Sequence, residues 1–244
     1  NSGIDRALLR QTAQQAGVAL ARYGEYRLSQ TRAHSATPSA TQALFIEMVL
    51  PAGTRVSAPF AGTVELDGQQ LRLVSHDLAL ILIGADTVLE TGMKVVAGFD
   101  LAVVAGAGRM TIQLCSDPSI TPPQFVMPHQ GKAWSALCPS PSVLLGGDFD
   151  ASALQSDALL ETRHAHFAKP QKNYYQHPPQ IERGWREQMF GMDGRCYLDM
   201  VNNVAIAGHG HPRLAAAAGR QWSLLNTNSR FHYAGIADFS KRLA

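Results

Sequence analysis

Apolar residues at Ile4, Leu8, Ala13, Ala16, Leu20 and Tyr23 recur every three to five positions, which places them on one face of an amphipathic helix with Asp5 as its N-cap. The polar run AHSATPSAT, Ala33 to Thr41, contains Pro38 and cannot continue that helix, so it marks a boundary. From Leu44 to about Leu145 the pattern changes to short runs of Val, Ile and Leu punctuated by Gly53, Gly62, Gly68, Gly84, Gly92, Gly98 and Gly106. The runs LFIEMVL, TRVSAPFAGTVEL, QLRLVS, LALILIG, MKVVAG, DLAVVAG and MTIQLCS read as strands of a compact barrel-like or sandwich module. Helical spacing returns in SALQSDALLETRHAHF, and the Pro-rich KPQKNYYQHPPQIERG reads as irregular. REQMFGMDGRCYLDMV then reads as a hairpin turning at Asp193-Gly194. Pro212 opens the Ala-rich helix PRLAAAAGRQWSLL, and a last helix follows around Ile236 to Leu243.

Composition narrows the class. With 45% hydrophobic and 16% charged residues, the 244-residue chain is an ordinary globular sequence of one or two domains. The net charge is +2, with Lys and Arg dispersed, so nucleic acid is not an expected partner. No apolar run approaches the roughly 18 residues that span a bilayer, and no signal peptide is visible, so no membrane partner and a cytoplasmic location are expected. The chain starts at Asn1 rather than Met and its pattern reaches Ala244 within a helix, so a longer parent protein is expected. Cys115, Cys138 and Cys196 are odd in number and lack CxxC spacing, which favours buried thiols over a disulfide framework.

PAGTRVSAPFAGTV followed by TGMKVVAGFDLAVV resembles the lysostaphin-like zinc peptidases, over roughly Thr41 to Leu145. Aligned on PAGT, the family's first two zinc ligands fall on Ala43 and Glu47, its late HxH pair on Arg109 and Thr111, and a further histidine near Ala85. Zinc needs three or four nitrogen, sulfur or carboxylate donors at about 2 Å, and one carboxylate cannot hold it. The resemblance therefore implies a peptidase-like domain without zinc and without peptidase activity. His76 and His129 have no partner at ligand spacing, and Lys94 lies inside the glycine-valine-glycine step rather than at the hairpin tip where a biotinyl or lipoyl carrier has its lysine.

YLDMVNNVAIAGHGHPRLAAAAGRQWSLLNTNSRF, with its flanks from about Arg163 to Ala244, is similar to the N-terminal part of class III pyridoxal-phosphate aminotransferases of fold type I, near the ethanolamine-phosphate phospho-lyase branch. RYGEYRL at Arg22 to Leu28 resembles the segment before the peptidase-like domain in bacterial phosphotransferase/peptidase-like/aminotransferase fusions. Read from the residues alone, His209 and His211 would share a face if they lay on a strand and could then bind metal. Pro212 instead puts them at a helix N-terminus, with no carboxylate or Cys close in sequence, and Gly208 and Gly210 serve a tight backbone path. The resemblance implies that Asn202, Asn203 and Val204 contact substrate; the Asn202 amide offers donors and an acceptor to an amine, carboxylate or phosphate, while the competing reading is that both asparagines satisfy turn backbone. A pyridoxal-phosphate enzyme also needs a Schiff-base lysine, an acid for the ring nitrogen and a phosphate cup. In the family these come later in sequence, so none of Lys94, Lys132, Lys169, Lys172 and Lys241 is assigned, and this chain is expected to hold no catalytic residue and no metal.

The resulting expectation is an α+β protein. It has a helical lead-in (1–33), a compact all-β degenerate peptidase-like domain (34–147), a linker (148–178) and the partial N-terminal segment of a fold type I α/β aminotransferase (179–244). The parent would be a pyridoxal-phosphate transaminase or phospho-lyase acting on a small amine or amino acid, as a homodimer through the aminotransferase domain. The alternative is a non-catalytic scaffold or oligomerisation module joining a kinase-like domain to an aminotransferase.

Overall fold

The structure is a computed structural model that describes residues 4–31, 39–151, 156–168, 175–191, 195–200, 206–226 and 233–244. It is a mixture of helices and antiparallel sheets, and its contacts divide the chain into two units, Asn1–Arg183 with Phe190–Tyr197, and Gly184–Met189 with Leu198–Ala244.

The opening helix α1 spans Ile4–Ala16 and is shorter than its apolar spacing implies. Gly17 closes it with a positive φ and an N–H that returns to the Ala13 carbonyl. Leu20 therefore lies in the strand β1 (Ala19–Ala21) and Tyr23 in a bridge to Asp150, outside the helix. Leu8 is exposed, and the buried face consists of Leu9 and Ala13, one turn apart, packed on Ala19, Ala21 and Val49. Asp5 sits inside the helix rather than at its cap, and its carboxylate accepts the Ser29 N–H at 2.8 Å.

The β region follows the alternation in the sequence closely. Its strands are β2 (Gln42–Ala43), β3 (Ile46–Val49), β4 (Arg55–Ser57), β5 (Gly62–Asp67), β6 (Gln70–Val74), β7 (Ala79–Ile83), β8 (Ala85–Asp86), β9 (Lys94–Val95), β10 (Asp100–Val104), β11 (Arg109–Cys115) and β12 (Phe125–Val126). Six of them join β1 in a seven-stranded sheet of order β1-β3-β11-β7-β6-β5-β9, three form β4-β10-β8, and β12 pairs β2. Because cross-strand partners share a face, the register Met48↔Met110, Ile46↔Ile112↔Leu82↔Leu71 and Leu114↔Leu80↔Leu73↔Val64 puts one row of apolar side chains on one side of the large sheet. That row buries itself with Ala58, Leu89, Leu101, Ala102 and Val104, which makes the core.

The opposite face carries Glu47↔Thr111↔Ile83↔Gln70 and Gln113↔Ile81↔Arg72, a largely polar strip interrupted by Ile81 and Ile83. Residues after β11 cross it. Arg72 Nη2 donates to the Pro118 carbonyl at 2.6 Å, Gln113 Nε2 donates to that of Pro123 at 2.9 Å, and α1 packs at the β1–β3 end. The region expected to be all β also contains two short helices, α2 (Gly131–Leu137) and α3 (Ser142–Leu145). Each is too short for apolar periodicity to show in sequence; Tyr23 anchors the end of α2 by donating to the Cys138 carbonyl at 2.5 Å.

Beyond it, α4 (Ser156–His166) matches the helical spacing seen in the sequence. Ile181–Trp185 (β13), Gln188–Gly191 (β14) and Cys196–Leu198 (β15) form a three-stranded sheet in that order. The IERG stretch, read as irregular because of the prolines before it, is thus part of a strand, and the Asp193-Gly194 turn lies outside the described residues. In the second unit, α5 (Pro212–Leu224) starts at Pro212 as its fixed φ favours, and α6 (Ala234–Leu243) follows; neither helix has a buried residue. Among the described residues no helix is long and apolar enough to cross a membrane.

Candidate functional site

Two polar constellations emerge, one in each unit. The first lies on the polar face of the large sheet. Of the four positions aligned with zinc ligands and the further histidine position near Ala85, three come together: Thr111 is the cross-strand partner of Glu47, and Arg109, two residues along the same face, donates its Nε to the Glu47 carboxylate. Glu47 and Thr111 are buried. Ala43 lies on β2 opposite Phe125 and Ala85 on β8 opposite Val104, each offering only a methyl group. This donor set does not fit zinc. Its single carboxylate is already neutralised by a guanidinium, and a cation there would meet the Arg109 charge. Among the described residues no group of three or more His, Cys, Asp or Glu is placed to hold a metal ion, and His76 and His129 are exposed.

In the same unit, the RYGEYRL stretch supplies a second ion-pair network. Glu25 accepts the Arg22 N–H at 2.9 Å, Arg27 Nη1 at 2.7 Å and Arg183 Nη2 at 2.9 Å. The Arg27 side chain is only 5% exposed and lies 5.9 Å over the Phe45 ring, so its charge depends on Glu25. Burial also pushes the Tyr26 phenol up to about 12 and raises that of Tyr23. Cys115 and Cys138 are buried free thiols, as expected, whereas Cys196 is only half-buried; burial, reinforced by the Cys115 neighbour, pushes the Cys138 thiol up to about 12. Such a thiol is a poor nucleophile.

The second constellation lies in the unit that carries GHGHP. His209 is held by a reciprocal pair of backbone hydrogen bonds to Arg186, both 2.8 Å, and its Nε2 donates to the Asp199 carboxylate at 2.9 Å. The carboxylate missing from the neighbourhood of GHGHP in sequence is therefore supplied by Asp199, ten residues upstream. His211 does not join it: it caps α5, its Nδ1 accepting the Leu214 N–H at 3.4 Å. Arg186, Glu187, Asp199, Met200, Ile206 and Gly208 line a cavity of about 360 Å³ beside this pair. Asn202, Asn203 and Val204, the candidate substrate contacts, lie outside the described residues. Lys94, Lys132 and Lys241 are exposed and line none of the described cavities, while Lys169 and Lys172 lie outside the described residues. The Asp199–His209 pair had no signal in sequence, because a ten-residue separation matches neither helical nor strand periodicity.

No family model matches the chain. Part of it is similar to aminotransferases. It is 32% identical over 91 residues to the alanine–glyoxylate aminotransferase 2-like protein of Drosophila melanogaster, covering 37% of this chain and 18% of that protein. It is 33% identical over 96 residues to the acetylornithine aminotransferase of Myxococcus xanthus, covering 38% and 23%, and 28% identical over 103 residues to the mitochondrial alanine–glyoxylate aminotransferase 2 of Homo sapiens, covering 40% and 20%. The chain thus spans about a fifth of the length of these curated relatives. Among solved structures, the catalytic domain of the peptidase lysostaphin from Staphylococcus simulans is similar to 55% of this chain and 98% of its own, with 14% identity and a TM-score of 0.37. LytU matches 48% of this chain and 92% of its own, with 17% identity and a TM-score of 0.32.

Proposed function

We propose that this chain contributes the N-terminal segment of a class III pyridoxal-phosphate aminotransferase, or of a phospho-lyase in that class, whose substrate is a small amine or amino acid. The observation that carries the reading is the partial sequence similarity to alanine–glyoxylate and acetylornithine aminotransferases. Bound pyridoxal phosphate supplies an electron sink for the substrate's α-carbon. Among the described residues the lysines Lys94, Lys132 and Lys241 are exposed, which does not fit the enclosed lysine that the cofactor needs. The part taken by this chain is substrate contact, with Asn202, Asn203 and Val204 as the contact residues.

The same reading divides the chain into a lead-in (1–33), a peptidase-like β domain without peptidase activity or zinc (34–147), a linker (148–178) and the aminotransferase segment (179–244), within a cytoplasmic fusion. A homodimer through the aminotransferase region agrees with the exposed Trp222, Leu224, Phe239 and Leu243 on α5 and α6. The test is the absorbance spectrum of the longer protein supplied with pyridoxal phosphate and titrated with phosphoethanolamine, ornithine and β-alanine. A protein-bound cofactor band that shifts with one amine supports the reading and names the substrate class. No bound cofactor sinks it.

A specific observation favours a second reading, in which residues 34–147 are a non-catalytic scaffold. The β core is complete while the aligned metal positions are Ala43, Ala85, Arg109 and Thr111, with Glu47 neutralised. Deleting residues 40–150 from the longer protein would change its oligomeric state if this holds; unchanged assembly and activity would dismiss it.

A further inference from the structure

We propose that Asp199 and His209 are a positioning pair that fixes the walls of the Arg186–Glu187 cavity, and that this cavity receives the charged end of a small zwitterionic amine. The amine's identity rests on the aminotransferase reading, whereas the frame around the cavity does not.

Three links make that frame. The Asp199 N–H donates to the Glu187 carbonyl at 2.8 Å, His209 and Arg186 exchange backbone hydrogen bonds, and the imidazole joins Asp199. Arg186 and Glu187 are covalent neighbours, so the links form a closed triangle tying residue 199 to residue 209. Both flanks of that triangle contribute cavity wall, Met200 on one side and Ile206 and Gly208 on the other.

The frame is tightly packed and under backbone strain. Among the described residues Arg186 is the only non-glycine with positive φ, at 53°. Gly208 has φ 78°, and a Cβ there would come within 2.7 Å of the Arg186 carbonyl oxygen, so only glycine lets the two backbones meet. The Asp199 and His209 side chains are 10% and 30% exposed. The carboxylate is thus nearly enclosed while the imidazole reaches water, so the pair holds residue 199 against residue 209 from inside the frame. With the Asp199 carboxylate committed to His209, the lining offers the Arg186 guanidinium, the Glu187 carboxylate and an apolar wall, which complement a ligand with an anionic group, an ammonium and a short carbon chain.

Asp199→Ala removes the third link. Asp199→Asn keeps an oxygen that accepts the imidazole N–H. In the 244-residue chain, phosphoethanolamine is titrated while the backbone amide NMR signals of Arg186, Glu187 and Gly208 are followed. Wild type should show saturable shifts at these amides. Asp199→Ala should weaken binding about tenfold, and Asp199→Asn should stay within about threefold of wild type. In the longer protein loaded with cofactor, KM for the amine should rise in the same order, with kcat within about twofold.

Absent shifts in wild type, equal behaviour of the two variants, or loss of the α5 signals in Asp199→Ala would each overturn the positioning role. Failure of the longer protein to bind cofactor would remove the aminotransferase reading alone, because the amide titration needs no cofactor.

Discussion

At the scale of single residues, buried charge decides where the chain is most sensitive. Arg27 is enclosed and its Nη1 is bound by Glu25, while its Nε and Nη2 have no hydrogen-bond partner among the described residues. Glu25→Gln should therefore destabilise the first unit by about 3 kcal/mol, since it leaves a buried guanidinium without its counter-charge. Urea denaturation measures this, and a loss below about 1 kcal/mol would mean that water already solvates Arg27. The second ion pair is asymmetric: the Arg109 side chain is 34% exposed and that of Glu47 only 9%. Arg109→Ala strands a buried carboxylate and should cost about 2–3 kcal/mol, whereas Glu47→Gln lets Arg109 turn to water and should cost less than about 1 kcal/mol. Reversal of that order in paired denaturation curves would show that the strain lies elsewhere.

Titration acts at the same scale. Burial pushes the Cys138 thiol from 9.0 and the Tyr26 phenol from 10.0 up to about 12. The folded chain then holds protons that the unfolded chain releases, so the contribution is complete below about pH 9 and is lost as pH rises towards 12. Denaturation midpoints measured from pH 8 to 12 should fall, and less steeply in a Tyr26→Phe, Cys138→Ala double variant. Parallel curves for variant and parent would refute this assignment.

At the scale of elements, the large sheet depends on close backbone approach as well as apolar rows. Gly84 links β7 to β8 with φ 85°, and a Cβ there would lie 2.1 Å from the Arg109 carbonyl oxygen at the start of β11. Gly84→Ala must displace backbone, and a loss of at least about 2 kcal/mol is expected by thermal or urea unfolding. The strands were legible as short runs rich in Val, Ile and Leu bounded by glycine turns, and Pro212 announced the start of α5 through its fixed φ. The end of α1 was misread because Leu20 and Tyr23 continue the helical spacing. They serve instead the sheet edge and the Tyr23–Asp150 bridge, after Gly17 has turned the chain.

At the scale of the whole molecule, the two units differ in how much they bury. The first owns a continuous apolar core, while α5 and α6 in the second bury no residue and expose Trp222, Leu224, Phe239 and Leu243. Opening free energy follows burial, so amide exchange in the 244-residue chain should be slowest in β3, β7 and β11 and fast throughout α5 and α6. Equal protection in both sets would mean that the helices are covered in solution, by self-association or otherwise.

The sequence by itself determined the strand runs of the β region, the helices α4, α5 and α6, and the likeness of part of the chain to aminotransferases. Period-two and period-3.6 spacing, turn residues and a long ordered motif are all local signals. Only the tertiary structure decided that Arg109 answers Glu47, that Arg183 reaches Glu25 from far along the chain, and that Asp199 returns to His209. These partners are joined by sheet register and chain reversal, which depend on the whole fold and leave no periodic trace in the residues between them.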